Sequence, residues 1–244
     1  MSVTKREKVS IIGFAPSWKE GFVNKSDDCE IWCLNEMYKV APQVPNFSAD
    51  RWFEIHDLTT PSKSTKEHQS FLQTCTVPLY VQKQYEHLPN AIPFPFEEIF
   101  AWMAGKGFGG SKYFTNTISY LIMFAAMSGF KEISVYGVDM STDSEYMHQK
   151  ASAEYMIGLC EGMGIKVYIP QSSELLKCNQ LYAVESSNKL RHWVKAQQSE
   201  LSKRSQHFAQ QEQQARQAEF QAQIAQAELR GAKSAYMEWL KRSQ

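Results

Sequence analysis

Residues 9–18 read VSIIGFAPSW. The short β-branched run suits a buried strand, and Gly13, Pro16 and Ser17 break it abruptly. A strand that stops at such a turn puts the turn on the carboxyl edge of its sheet, where open α/β sheets hold ligands. Residues 30–34, 51–55, 131–137 and 165–169 repeat the pattern of short β-branched or aromatic runs closed by turn chemistry. Between them, TNTISYLIMFAAMSG (115–129) is apolar all round, has helix length and stops at its glycine, and ASAEYMIGLCEGMG (151–164) is a second such helix. Residues 96–103 also read as helix, and the rest of 56–114 is less regular. Strands separated by helix-length crossovers predict an α/β protein, Rossmann-like, with a mostly parallel sheet covered by helices on both faces.

The 244 residues suffice for a substantial core, and 43% of them are hydrophobic. Lys plus Arg equals Asp plus Glu at 26 each, so no overall field draws the chain to nucleic acid or an anionic membrane. The first eight residues lack the apolar stretch of a secretory signal, and no apolar run is long enough to span a bilayer. Five scattered cysteines suit reduced thiols in a cytoplasmic setting. Cys29 and Cys33 have no matching Cys/His pair, so no metal is expected.

From about residue 185 the composition shifts to Gln, Ala, Glu, Lys and Arg, with Gly231 the lone glycine. Val194, Leu201, Phe208, Ala215, Ala222, Leu229 and Tyr236 recur every seven residues, and Ala218, Ala225, Ala232 and Trp239 follow the last four three places on. This predicts a Rossmann-like domain over 1–184 and a long coiled-coil-like helix over 185–244, through which the chain forms a homo-oligomer or docks on another protein.

The chemistry-bearing residues gather at the ends of the expected strands. Ser17 and its neighbouring amides have the groups to face phosphate, and Asn35, at the end of the second strand, both donates and accepts as ribose or base recognition requires. Strand alternation places Trp52, Glu54 and His56 on one face, with Asp57 at the carboxyl end. His56 is thus a catalytic candidate beside a reading as a structural pair with Asp57. The glycine-rich GKGFGGSK (105–112) has Ser-Lys where a P-loop needs Lys-Ser/Thr and follows a helix, which leaves it as a mobile loop or lid.

In order, IIGFAPSW, WCLNEMY, YFTNTISYLIMFAAMSGFKEISVYGVDM and IKVYIPQSSELL resemble the bacterial family 42 sialyltransferases and their Rossmann-like motility-accessory and pterin pyrophosphokinase-like relatives. The chain is also similar to uncharacterised phage-encoded proteins. The resemblance spans most of residues 9–177. It implies that Gly13, Pro16 and Ser17 line nucleotide phosphates, that Asn35 contacts the nucleotide, that Thr115, Asn116 and Thr117 form the anion-facing helix start, and that Gly137 and Asp139 match the family's G-[IV]-D element. Two departures stand out. Phe14 and Ala15 replace a polar residue and a glycine, and SEYMHQ (144–149) stands where the family has S-H-Y-x-G-H, with Glu145 in the place of the expected basic histidine and His148 near the second. Glu145 and His148 are catalytic candidates on this alignment; as residues of a following helix they also read as simple surface groups.

Three functions remain open at this level. The first is a protein that binds a nucleotide or nucleotide sugar, extending to a glycosyltransferase-like transferase. The second is a non-catalytic phage-type assembly protein that works through its C-terminal helix, in the host cytoplasm or the virion. The third is a binder of a nucleotide signal without turnover.

Overall fold

A computed structural model describes residues 6–23, 26–45, 47–108, 112–140, 144–178, 181–184 and 187–242. The chain divides into two compact units, Met1–Lys177 and Cys178–Gln244. Ahead of the boundary expected at residue 184, Leu181, Tyr182 and Val184 are all exposed.

The first unit is built on seven strands, β1 (Lys8–Ile12), β2 (Cys29–Leu34), β3 (Arg51–Glu54), β4 (Leu79–Val81), β5 (Ile92–Pro93), β6 (Glu132–Tyr136) and β7 (Lys166–Tyr168). They lie in the order β5-β4-β3-β2-β1-β6-β7. Every pairing is parallel. The helices are α1 (Glu20–Val23), α2 (Lys66–Thr74), α3 (Phe96–Gly105), α4 (Thr117–Met127) and α5 (Ser144–Gly162). This is the α/β architecture expected from the alternating pattern.

Side-chain alternation divides the core between the two faces. Val9, Ile11, Trp32, Leu34, Phe53, Ile133 and Val135 point to one side, where Ile99 and Met103 of α3, Leu121 and Ile122 of α4 and Met156 and Ile157 of α5 meet them. Ile12, Ile31, Cys33, Trp52, Leu79, Val81 and Tyr136 point to the other, against Trp18, Met37, Leu58, Leu72 of α2, Tyr85 and Leu88. Both faces of the central strands are covered, which is why those strands read as continuous apolar runs, while β5 and β7 at the edges are largely exposed.

The region that reads as irregular in sequence holds α2, β4 and β5. The two strands are three and two residues long, and β5 ends on Pro93. Strands that short carry no readable period, and only their seat at the edge of a formed sheet makes them strands.

The second unit is dominated by α6 (Ser187–Arg242), 56 residues in one helix. At about 1.5 Å per residue it spans roughly 84 Å. Glu200–Arg204, Glu212–Arg216 and Glu238–Arg242 pair at i,i+4 along it, each with the acid N-terminal to the base. Leu201, Phe208, Leu229, Tyr236 and Trp239 are all exposed. Among the described residues no helix is long and apolar enough to cross a membrane.

Candidate functional site

Register decides where the strand ends meet. Ile12 lies opposite Cys33 on one side and Tyr136 on the other, so β1 and β6 finish level and β2 runs one residue further. The next residues, Gly13, Leu34 with Asn35, and Gly137, therefore share one carboxyl edge. From β1 the chain runs outward to β2 on one side and returns to β6 on the other, which makes the gap between β1 and β6 the topological switch point of the sheet. A cleft of ≈ 440 Å³ opens there, walled by Gly13, Phe14, Asn35, Ile118, Asp139 and Gln149 among others.

Gly13 and Gly137 are glycines for each other's sake. A Cβ on Gly13 would collide with the Gly137 carbonyl oxygen and a Cβ on Gly137 with that of Gly13, and Gly137 also has φ +65°. The Gly13 N–H donates to Tyr136 O (2.8 Å) and the Ala15 N–H to Gly137 O (2.7 Å). Ser17 is 3% exposed, and its Oγ accepts the Gly137 N–H at 2.8 Å. In place of the phosphate contact implied for it, the Ser17 hydroxyl clamps the β6 loop to the turn after β1. Pro16 opens a short 3-10 helix, Pro16–Lys19, and lies outside the cleft wall.

Asn35 has φ 52°, a left-handed conformation that asparagine tolerates. Its backbone is held on both sides, its N–H by Phe53 O at 2.8 Å and its carbonyl by the Trp52 indole N–H at 3.0 Å. The side-chain Oδ1 is buried with no hydrogen-bond partner among the described residues. Asp139 Oδ1 is in the same condition. Burial raises the Asp139 carboxyl above the ordinary range, and the charge of Glu174 adds to the shift. Two unmet acceptors thus sit in the wall of one cleft, a costly arrangement unless something donates to them.

The start of α4 is tied to α5. Asn116 caps α4 by accepting the Ser119 N–H at 2.9 Å, and its amide nitrogen donates to Gln149 O at 2.9 Å. Thr115 Oγ1 donates to His148 O at 3.0 Å, and Ser152 Oγ, which donates to Tyr113 O, accepts the Thr115 N–H at 3.3 Å. The Thr115 and Asn116 side chains are thereby occupied inside the fold, which leaves backbone amides as what the helix start could offer an anion. The backbone N–H groups of Thr117 and Ile118, in the first helical turn, have no intrahelical acceptor, and Ile118 borders the cleft.

Of the catalytic candidates, the Glu145 side chain lies outside the described residues, as do residues 109–111 of the glycine-rich loop. His148 is exposed on α5 and is not part of the cleft wall. His56 follows β3, one strand beyond Asn35. Its Nδ1 lies 2.5 Å from Glu54 Oε1, and its own backbone N–H reaches the same oxygen at 3.3 Å. The Glu54 side chain is fully buried, with Lys63 Nζ 3.1 Å from Oε2. His68 Nε2 stands 3.0 Å from that oxygen but off the line of a good hydrogen bond. Sequence alternation put His56 and Glu54 on one face; Lys63 and His68, from a loop and α2, carried no sequence signal linking them to it. Asp57 turns away to cap Thr59, through its N–H at 3.0 Å and its hydroxyl at 2.8 Å. Among the described residues no cluster of His, Cys, Asp and Glu could hold a metal.

The fold and cleft are those of a doubly wound α/β protein with a ligand crevice at its switch point. No protein-family model matches the chain, and no curated protein matches it. Among solved structures it is similar to the sialyltransferase CstII from Campylobacter jejuni in complex with the substrate analogue CMP-3FNeuAc, at 18% identity and a TM-score of 0.48, over 78% of this chain and 99% of that one. It is also similar to an alpha-2,3-sialyltransferase from Campylobacter jejuni in apo form, at 13% identity and a TM-score of 0.46, over 81% of this chain and 96% of that one. Both likenesses are distant, and the functional reading is carried by the cleft itself.

Proposed function

We propose that this chain binds a nucleotide or nucleotide sugar in the cleft between β1 and β6 and serves as a transferase of the glycosyltransferase type. The carrying observation is the pair of buried, unpartnered acceptors, Asn35 Oδ1 and Asp139 Oδ1. Acceptors call for donors, and ribose hydroxyls or an exocyclic base amine supply them, whereas phosphate oxygens would be repelled by the Asp139 carboxylate. The nucleoside end therefore belongs at Asn35, Gly137 and Asp139. The phosphates belong beside Gly13 and the free first-turn amides of α4, where the helix dipole favours an anion. An enzyme that activates a sugar through its phosphate link needs this polarity in its site.

Calorimetric titration with CMP, UDP, GDP and their sugars tests the reading. We expect at least one to bind, and Asn35→Gly, which keeps the left-handed backbone while deleting the amide, to weaken it about 10- to 100-fold, as does Asp139→Ala. No binding by any of them, or affinities unchanged in both variants, would overturn it.

A second reading has its own observation. The exposed apolar residues of α6 favour an assembly protein that works through that helix, with the cleft inherited and idle; intact binding in the titration would remove the idle cleft from it.

A further inference from the structure

Among the described residues a buried charged cluster lies outside the cleft wall, at the end of β3. Glu54 is a carboxylate with no exposed side-chain surface, an expensive burial unless charge and hydrogen bonds surround it. Its two oxygens have different neighbours. Oε2 faces Lys63, itself largely buried, and His68 of α2, against which Tyr38 stacks at a centroid distance of 5.8 Å. Among the described residues Oε1 faces only His56, through both the ring Nδ1 and the backbone N–H. The two contacts from one residue fix the ring relative to the carboxylate. The His56 side chain is 45% exposed, and among the described residues nothing bonds to its Nε2.

We infer that Glu54 and His56 form a general-base dyad, in which the buried carboxylate holds the imidazole with its proton on Nδ1 and presents a basic Nε2 to an acceptor hydroxyl at the carboxyl edge of the sheet. This rests on the transferase reading of the neighbouring cleft. The ring hangs on the same edge as that cleft: Asn35, in the cleft wall, donates its N–H to Phe53 O, the residue before Glu54. In the step itself, His56 Nε2 takes the hydroxyl proton as the acceptor oxygen forms its bond to the sugar's anomeric carbon. The bond from that carbon to the phosphate oxygen breaks, and the nucleotide leaves with the electron pair. Glu54 is the positioning residue: it stays ionised and steadies the imidazolium that forms. Burial alone would raise the Glu54 carboxyl, but the hydrogen bonds from His56, the close approach of His68 and the charge of Lys63 hold it far below the usual range. It is therefore an acceptor at neutral pH. Among the described residues, Lys63 and the His68 ring lie against the Glu54 carboxylate, and Glu36 lies within electrostatic reach of both.

Two measurements test the dyad separately from the cleft. Long-range ¹H–¹⁵N spectra of the histidine-labelled full chain should show neutral His56 protonated at Nδ1, and the Glu54→Gln variant, which keeps the volume, should lose that preference. A proton on Nε2 in the unsubstituted chain, or an unchanged tautomer balance in the Glu54→Gln variant, would overturn the dyad whether or not a nucleotide binds. With whichever CMP, UDP or GDP sugar the calorimetry shows to bind, His56→Ala should lower turnover about 10²-fold or more while leaving the dissociation constant of the nucleotide within about twofold. Glu54→Gln should lower turnover less, because the ring that it positions is still present. Full turnover in His56→Ala, or its loss in His148→Ala alone, would overturn the assignment of the base. Absence of binding by the unsubstituted chain would instead bring down the nucleotide reading, leaving the tautomer to decide the dyad.

Discussion

At the residue scale, the turn after β1 shows how one short motif serves structure before chemistry. Gly-x-x-Pro-Ser reads as a phosphate loop, yet the Ser17 hydroxyl is buried on the Gly137 N–H and the two glycines exist to let the loops after β1 and β6 cross. Ser17→Ala leaves that buried amide without an acceptor, at about 1–3 kcal/mol. We expect the melting temperature to fall by several degrees, while nucleotide affinity, measured well below the transition, stays within a few-fold. A loss of affinity with unchanged stability would return Ser17 to the ligand. Asn35 is the opposite case. Its backbone is fully engaged and its side-chain oxygen is not, the signature of a group reserved for something absent from the fold.

Single helix ends matter because several bonds converge on them. Asn116 caps α4 through its oxygen and reaches Gln149 O on α5 through its nitrogen, so one amide both starts a helix and joins two. Asn116→Ala removes both bonds. The cap is worth roughly 0.5–2 kcal/mol, and Gln149 loses its donor besides. Chemical denaturation should show a loss toward the upper part of that range, and Asn116→Asp, which keeps the cap oxygen but not the nitrogen, should recover part of it. Equal losses in the two variants would mean that the tie to α5 outweighs the cap.

At the scale of the whole molecule, α6 raises the largest question. Its seam is alanine in the middle, with Leu201, Phe208, Leu229, Tyr236 and Trp239 toward the ends, all of them exposed in the single chain. Surface i,i+4 ion pairs contribute only about 0.3–0.5 kcal/mol each, too little to hold a polar helix of this length rigid. We propose that a second copy covers the seam, since small residues at the heptad positions let two like helices approach closely. Phe220 and Ile224 lie off the seven-residue stripe and are exposed too, so the interface extends beyond a strict seam if they join it. Light scattering should give an oligomer for the full chain at micromolar concentration and a monomer for a chain ending near residue 184. A monomeric full chain would refute self-association, and an oligomer that survives the truncation would move the interface to the sheet unit.

The long strands and helices, the parallel sheet and the extended C-terminal helix were legible in the sequence because each carries its own period or composition over enough residues to stand out: VSII, TISYLIMFAAM, the heptads of α6. The strand ends that wall the cleft were legible for the same reason, since the end of a readable strand locates its carboxyl edge. The rest depended on contacts distant in sequence. β4 and β5 are too short to carry a period and become strands only by pairing. The inward turn of Ser17 needed the β6 loop 120 residues away. Alternation placed Glu54 and His56 on one face, but the burial of Glu54, and its balance by Lys63 and by His68 of α2, exist only once the helix has docked on the sheet. A local pattern can say which way a side chain faces; whether it is dry, and what shares its space, is decided by the elements that fold against it.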